Sequence, residues 1–89
     1  MNILGKHVVV TGGGTGVGAK TARQFADAGA NVTIMGRTEH SLAEQELPYQ
    51  VCDVTDPDAV MAALDVARAA HGPVAVMVAN AGTASSVPF

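Results

Sequence analysis

Four short strand-like segments alternate along the chain with three helix-like segments, and the first and fourth strand-like segments are near-continuous apolar runs. The strand-like segments occupy residues of about 6–11, 31–35, 49–53 and 74–79, and the helix-like segments occupy about 16–28, 39–46 and 57–71. Strands that alternate with helices predict a parallel sheet with right-handed crossovers. The predicted fold class is α/β, with a doubly wound parallel sheet in the strand order 3-2-1-4.

Turn and capping residues mark the ends of the predicted helices. Gly29 ends the first helix, Pro48 closes the second, and Asp56-Pro57 supplies the cap and the first residue of the third. The side chains expected to face the sheet are Val17, Ala22, Phe25 and Ala28 in the first helix and Val60, Leu64 and Ala67 in the third. The fourth strand would be an exposed apolar edge unless further strands pair with it.

The composition places the chain among small globular domains. It has 89 residues, of which 48% are hydrophobic and 15% are charged, so it is one domain and not a disordered segment. A net charge of −3 argues against a nucleic-acid partner, and no apolar run approaches the roughly 20 residues of a membrane span. Cys52 is alone, which favours a reducing cytoplasm, and the histidines lack metal-ligand spacing.

A glycine-rich segment between the first strand and the first helix is the most informative part of the sequence. Residues 11–18 read Thr-Gly-Gly-Gly-Thr-Gly-Val-Gly. Such a turn lets backbone N–H groups and a positive helix end approach a phosphate, so it predicts a dinucleotide-binding, Rossmann-like domain. Two registers fit: Gly14-x-Gly16-x-x-Ala19, and a longer loop that starts at Thr11-Gly12. We prefer the longer one, because its first glycine stands where the strand ends and a tight turn is needed.

The longer register resembles the short-chain dehydrogenase/reductase family, whose glycine motif is T-G-x-x-x-G-x-G. Two further matches are Cys52-Asp53-Val54 after the third strand and Asn80-Ala81-Gly82 after the fourth. A related branch with T-G-x-x-G-x-x-G fits less well, because Thr15 stands where that branch has glycine. The resemblance covers the chain from about residue 4 to 82.

The resemblance implies a set of cofactor-binding positions. The glycine loop would line the pyrophosphate and nicotinamide side, the Asp-Val pair would flank adenine, and the Asn-Ala-Gly segment would approach a ribose. The residues implied are Gly12, Gly14, Thr15, Gly16, Val17, Gly18, Asp53, Val54, Asn80, Ala81 and Gly82. The Thr11 hydroxyl would tie the first strand to the segment at Asn80–Gly82.

The end of the second strand predicts which nicotinamide cofactor is used. NAD-selective domains place Asp or Glu there to accept a hydrogen bond from the ribose 2′-hydroxyl. Here Gly36 stands at that position and Arg37 follows. Gly36 leaves space, and a guanidinium can pair with a 2′-phosphate in forked geometry. We therefore expect NADP(H) to be preferred over NAD(H), with Arg37 as a cofactor-binding residue.

The family's catalytic residues have no counterpart in these 89 residues. By resemblance, they are a Ser and a Tyr-x-x-x-Lys pair. Tyr49 is the only tyrosine and has Asp53 four residues later, and Ser85 and Ser86 come too early. The prediction is therefore no catalytic residue, and a single domain at 1–89 that forms the N-terminal, cofactor-binding half of a longer reductase.

Two functions of different classes remain open at the sequence level. The preferred one is a cytoplasmic NADP(H)-dependent oxidoreductase that acts on a small carbonyl or alcohol substrate, with a homo-oligomeric full-length protein implied by the resemblance. The alternative is a stand-alone nucleotide-binding module, either a sensor or half of a split protein. A methyltransferase-like glycine loop is the weakest interpretation, since it gives Arg37 and the Asn-Ala-Gly segment no role.

Overall fold

A computed structural model of the chain describes residues 3–14 and 16–79. Within them, strands and helices alternate in the order that the sequence predicts. The elements are β1 (His7–Thr11), α1 (Gly16–Asp27), β2 (Asn31–Gly36), α2 (Glu39–Ala43), β3 (Tyr49–Val51), α3 (Pro57–His71) and β4 (Val74–Ala79). Helix α2 is shorter than expected because the chain leaves it through a turn in which Glu46 has a φ of 57°.

The strands form one parallel sheet in the order β3-β2-β1-β4, which confirms the predicted order. In β1, Val10 lies opposite Ile34 of β2 on one side and opposite Val78 of β4 on the other. Because all four strands run in the same direction, their carboxyl ends meet at one edge of the sheet. The loops that follow β1, β2 and β3 therefore converge there.

Apolar side chains cover both faces of the sheet. The cluster beneath α1 and α2 contains Val8, Val10, Ala22, Val32, Ile34 and Leu42. The cluster beneath α3 contains Val9, Met35, Cys52, Ala63, Leu64 and Ala67. Successive residues of β1 thus enter opposite clusters, which explains why its sequence is continuously apolar rather than alternating.

Helix α1 packs on the sheet through a face that the sequence predicts only in part. Gly18 and Ala22 are buried and Phe25 is half-buried, but Val17 is 74% exposed. Successive helical residues lie about 100° apart, so Val17 cannot share the face that Gly18 and Ala22 define four residues apart. Ala28 is exposed because α1 ends at Asp27. The predictions that Val17 and Ala28 face the sheet were wrong.

Helix α3 has the ends that its sequence predicts. The Asp56 carboxylate accepts hydrogen bonds from the backbone N–H groups of Asp58 and Ala59, and Pro57 is the first helical residue. Gly72 ends the helix with a φ of 90°, a left-handed conformation that glycine adopts without strain.

Strand β4 lies at an edge of the described sheet. The sequence predicts this position when no further strand pairs with β4. Its residues alternate between half-buried and exposed, whereas all of β1 is buried. Met77 shares its sheet face with Val9 and is 46% exposed. Burial of β4 on both faces would require additional elements beside it.

Candidate functional site

A cleft opens at the carboxyl ends of β1 and β2, where the doubly wound topology predicts a ligand site. Its volume is about 170 Å³. The residues that line it are Gly12, Gly14, Gly36, Arg37, Thr38, Ser41, Leu42 and Val54. The site thus brings together the glycine loop, the end of β2, the short helix α2 and the segment that follows β3.

The glycine loop leaves β1 through a tight turn at Gly12. Gly12 has a φ of 69°, which side chains rarely tolerate, and its N–H donates to the Met35 carbonyl at 2.7 Å. The Gly13 N–H is directed at the same carbonyl at 3.4 Å. These two N–H groups therefore hold the loop against β2. A phosphate at this loop would accept hydrogen bonds from the N–H groups that follow Gly13 in the chain. A left-handed first glycine fits the longer register, in which Gly12 makes the turn.

Close packing surrounds two neighbouring glycines. A Cβ at Gly13 would lie 2.6 Å from the Ile34 side chain, and one at Gly14 would lie 3.2 Å from the Ser41 Cβ. The loop therefore rests on β2 and α2, with no room for a side chain at Gly13 and only tight space for one at Gly14. Gly13 is not among the predicted site residues, although its place between Gly12 and Gly14 was a usable signal.

The start of α1 is open on the side away from the sheet. A Cβ at Gly16 would meet no atom within 4 Å among the described residues, and its φ is 57°. Val17 next to it is exposed, whereas Gly18 is buried against the sheet. The first turn of α1 therefore leaves its backbone accessible to a ligand, which suits a phosphate group.

At the end of β2, Gly36 and Arg37 form another wall of the cleft. A Cβ at Gly36 would make only ordinary contacts with Leu42, the nearest at 3.4 Å, so packing does not require glycine there. Arg37 is exposed and supplies a positive charge to the cleft.

Asp53 and Val54 follow β3 but differ in position. Val54 lines the cleft, whereas the Asp53 carboxylate accepts hydrogen bonds from the backbone N–H of Thr55 at 2.9 Å and from its hydroxyl at 2.6 Å. These bonds lower the pKa of the Asp53 carboxyl, and the charge of Arg37 lowers that pKa further. Asp53 is thus an ionised group near Arg37 that also shapes the turn into α3.

Four of the predicted site residues, Thr15, Asn80, Ala81 and Gly82, lie outside the described residues. The Thr11 hydroxyl, expected to bond the segment at 80–82, donates to the carbonyl of Val78 in β4 at 3.3 Å. The Thr11 hydroxyl therefore connects β1 to β4, and the predicted contact with the segment at 80–82 lies outside the described residues.

Thr38, Ser41 and Leu42 are cleft residues that the sequence motifs do not include. All three belong to the short segment at 38–43 that follows Arg37 directly. A helix that starts three residues after a strand end must border the crevice at that end, and this was the available signal. Leu42 is almost completely buried and fills the space beneath Gly14 and Gly36.

In residues 3–14 and 16–79, no three His, Cys, Asp or Glu side chains are grouped so that they could hold a metal ion. The helices of the same residues include none with the length and apolar character needed to cross a membrane.

A family model for short chain dehydrogenases matches residues 6–89. The chain belongs to this family. It is 38% identical to (−)-isopiperitenol/(−)-carveol dehydrogenase, mitochondrial, of Mentha piperita, covering 94% of this chain and 35% of that protein. It is 42% identical to (+)-borneol dehydrogenase 1 of Salvia officinalis, covering 88% of this chain and 32% of that protein.

Solved structures agree with this assignment. An actinorhodin polyketide ketoreductase crystallised with NADPH superimposes with a TM-score of 0.83 at 29% identity, over 88% of this chain and 33% of that one. The short-chain dehydrogenase chain thus has the Rossmann-type fold that its sequence predicts. It spans about a third of the length of the curated relatives it matches.

Proposed function

We propose that this short-chain dehydrogenase chain is the cofactor-binding part of an NADP(H)-dependent oxidoreductase. The observation that carries the proposal is the pairing of Gly36 with Arg37 in the wall of the cleft beside the glycine loop. When bound, the nicotinamide would supply or accept the hydride for a carbonyl or alcohol substrate. The residues of this chain would bind and orient the cofactor.

The chemistry of the cleft favours a 2′-phosphate over a 2′-hydroxyl. No carboxylate stands at position 36 to accept from a hydroxyl, and glycine there keeps the space open although packing does not demand it. The exposed Arg37 guanidinium can donate two parallel hydrogen bonds to a phosphate. The ketoreductase that superimposes on this chain was crystallised with NADPH, which is consistent with the proposal.

The glycine loop fits the rest of the cofactor. Gly12, Gly14, Gly16, Val17 and Gly18 would face the pyrophosphate and nicotinamide side. The open backbone at Gly16 supports this placement, because nothing described lies where a side chain would stand. Val54 lines the cleft and would flank adenine together with Asp53. By family resemblance, Thr15 and the segment Asn80–Gly82 would complete the site.

The chain's place in a larger protein is part of the proposal. We infer that the 89 residues are one dinucleotide-binding unit and form the N-terminal half of a reductase domain. The half-exposed β4 edge and coverage of about a third of the relatives support this. A small alcohol or carbonyl substrate, homo-oligomers and a cytoplasmic location are proposed with it. The stand-alone binding module is not favoured, because the named relatives are dehydrogenases.

Replacing Arg37 with Ala tests the proposal directly. Loss of a charge-assisted pair of roughly 1.5–3 kcal/mol should weaken NADPH binding by about 10- to 100-fold. NADH affinity should be nearly unchanged, because NADH has no 2′-phosphate. Isothermal titration calorimetry of the purified protein with both nucleotides gives the two dissociation constants.

Arg68→Ala is the matched control, because Arg68 lies on α3 away from the cleft, beside Asp65. That variant should bind both nucleotides as the unchanged protein does. An equal loss of NADPH and NADH affinity in Arg37→Ala would overturn the proposed preference.

A further inference from the structure

We propose that Gln45 is a positioning residue that fixes the glycine loop in its cofactor-binding conformation; this inference rests on the proposed function. Gln45 lies in the turn after α2, outside every motif of the sequence. Its side-chain amide nitrogen donates to the Gly14 carbonyl at 3.2 Å and to the Ser41 carbonyl at 3.3 Å. The amide thus joins the glycine loop to α2.

The chemistry of these contacts defines the role. Both partners are backbone carbonyls, which only accept, so the amide nitrogen and not its oxygen must face them. The N–H of Gln45 donates to Leu42, and the Ser41 carbonyl at the end of α2 accepts from the Gln45 side chain. The half-buried side chain of Gln45 therefore donates hydrogen bonds both to a carbonyl at the end of α2 and to a carbonyl of the glycine loop.

Packing at Gly14 reinforces the same connection. A Cβ there would lie 3.2 Å from the Ser41 Cβ and 3.3 Å from the Leu42 backbone nitrogen. The Gly14 backbone is therefore packed closely against α2. The direction of the Gly14 carbonyl fixes the plane of the peptide group that contains it. The N–H groups beyond Gly13 are those left to meet a pyrophosphate.

A second contact holds Gln45 itself. The guanidinium of Arg23, on the exposed surface of α1, donates to the backbone carbonyl of Gln45. The turn after α2 is thus connected to α1 by Arg23 and to the glycine loop by the Gln45 amide. These two contacts fix the position of the glycine loop relative to α1. A bound pyrophosphate requires the loop and the start of α1 to be held in a fixed arrangement.

Gln45→Met tests the role, because methionine has a similar length and no donor. NADPH binding should weaken by about three- to tenfold, the effect of losing one or two net hydrogen bonds. Adenosine 2′-monophosphate, which lacks the pyrophosphate, should bind as it does to the unchanged protein. Calorimetry with both probes, and a urea unfolding curve for each variant, separate loop positioning from general destabilisation. Gln24→Met, on exposed α1, is the matched control.

Arg23→Met provides an independent variant at an exposed site, and it should show the same selective loss of NADPH affinity. Unchanged NADPH affinity in Gln45→Met, or an equal loss for both probes, would overturn the inference and leave the proposed function standing. If the unchanged protein fails to bind NADPH, the proposed function falls and this inference with it.

Discussion

The buried imidazole of His7, at the start of β1, joins β2 and the end of α3. Its Nδ1 lies 2.9 Å from the Gly72 carbonyl and its Nε2 lies 2.8 Å from the Thr33 hydroxyl. The carbonyl only accepts, so Nδ1 carries the hydrogen there, and Nε2 shares its hydrogen bond with the Thr33 hydroxyl. A histidine in an apolar strand is therefore a satisfied core residue here.

Removing the imidazole should reveal the coupling between His7 and Thr33. His7→Leu leaves the buried Thr33 hydroxyl without its partner and should lower the free energy of unfolding by about 1–3 kcal/mol. The double variant His7→Leu/Thr33→Val replaces both partners and should cost less than the sum of the single changes. Urea unfolding measures all three. Strict additivity would contradict a direct hydrogen bond.

At the scale of elements, the turn between α2 and β3 carries local strain. Glu46 adopts a φ of 57°, whereas Glu44 just before it is right-handed with a φ of −64°. The left-handed region costs a non-glycine residue roughly 1–2 kcal/mol. In the same turn, the Gln45 side chain, next to Glu46, donates a hydrogen bond to the glycine loop.

Replacement of Glu by Gly should therefore have opposite effects on the free energy of unfolding at Glu46 and at Glu44. Glu46→Gly should raise the free energy of unfolding by up to about 1 kcal/mol, since glycine adopts this φ freely. Glu44→Gly should lower it by about 0.5–1 kcal/mol, because glycine is unfavourable in helical conformation. Thermal and urea unfolding give both values. A loss of stability in both variants would show that the turn is not strained.

Local patterns in the sequence predicted the elements well and their contacts less well. The Asp56-Pro57 cap and the Gly12 turn follow from short-range chemistry, the strand order follows from the usual topology of alternating strands and helices, and all are found in the structure. The face of α1 was misjudged at Val17 because a buried glycine, Gly18, lies beside the buried Ala22 and directs that face away from Val17. Gln45 could not be predicted, since its partners lie 4 and 31 positions away and only the fold brings them together.

At the scale of the whole molecule, the described chain is asymmetric. On the side of the cleft, β1 is buried and its glycine loop is held by β2 and α2. The opposite edge, β4, leaves Met77 half-exposed on the face that α3 covers elsewhere. Under the proposed domain organisation, further elements would pack against this edge, whereas the described residues already form the cleft between the glycine loop, the end of β2 and α2.

A crystal structure of the protein with NADP⁺ tests the central claim most directly, through the distance between the 2′-phosphate and the Arg37 guanidinium. We expect phosphate oxygens about 2.7–2.9 Å from the guanidinium nitrogens, the range of charge-assisted hydrogen bonds. The pyrophosphate should lie against the loop at the start of α1. A 2′-phosphate in solvent away from Arg37, or a pyrophosphate remote from the glycine loop, would contradict the account.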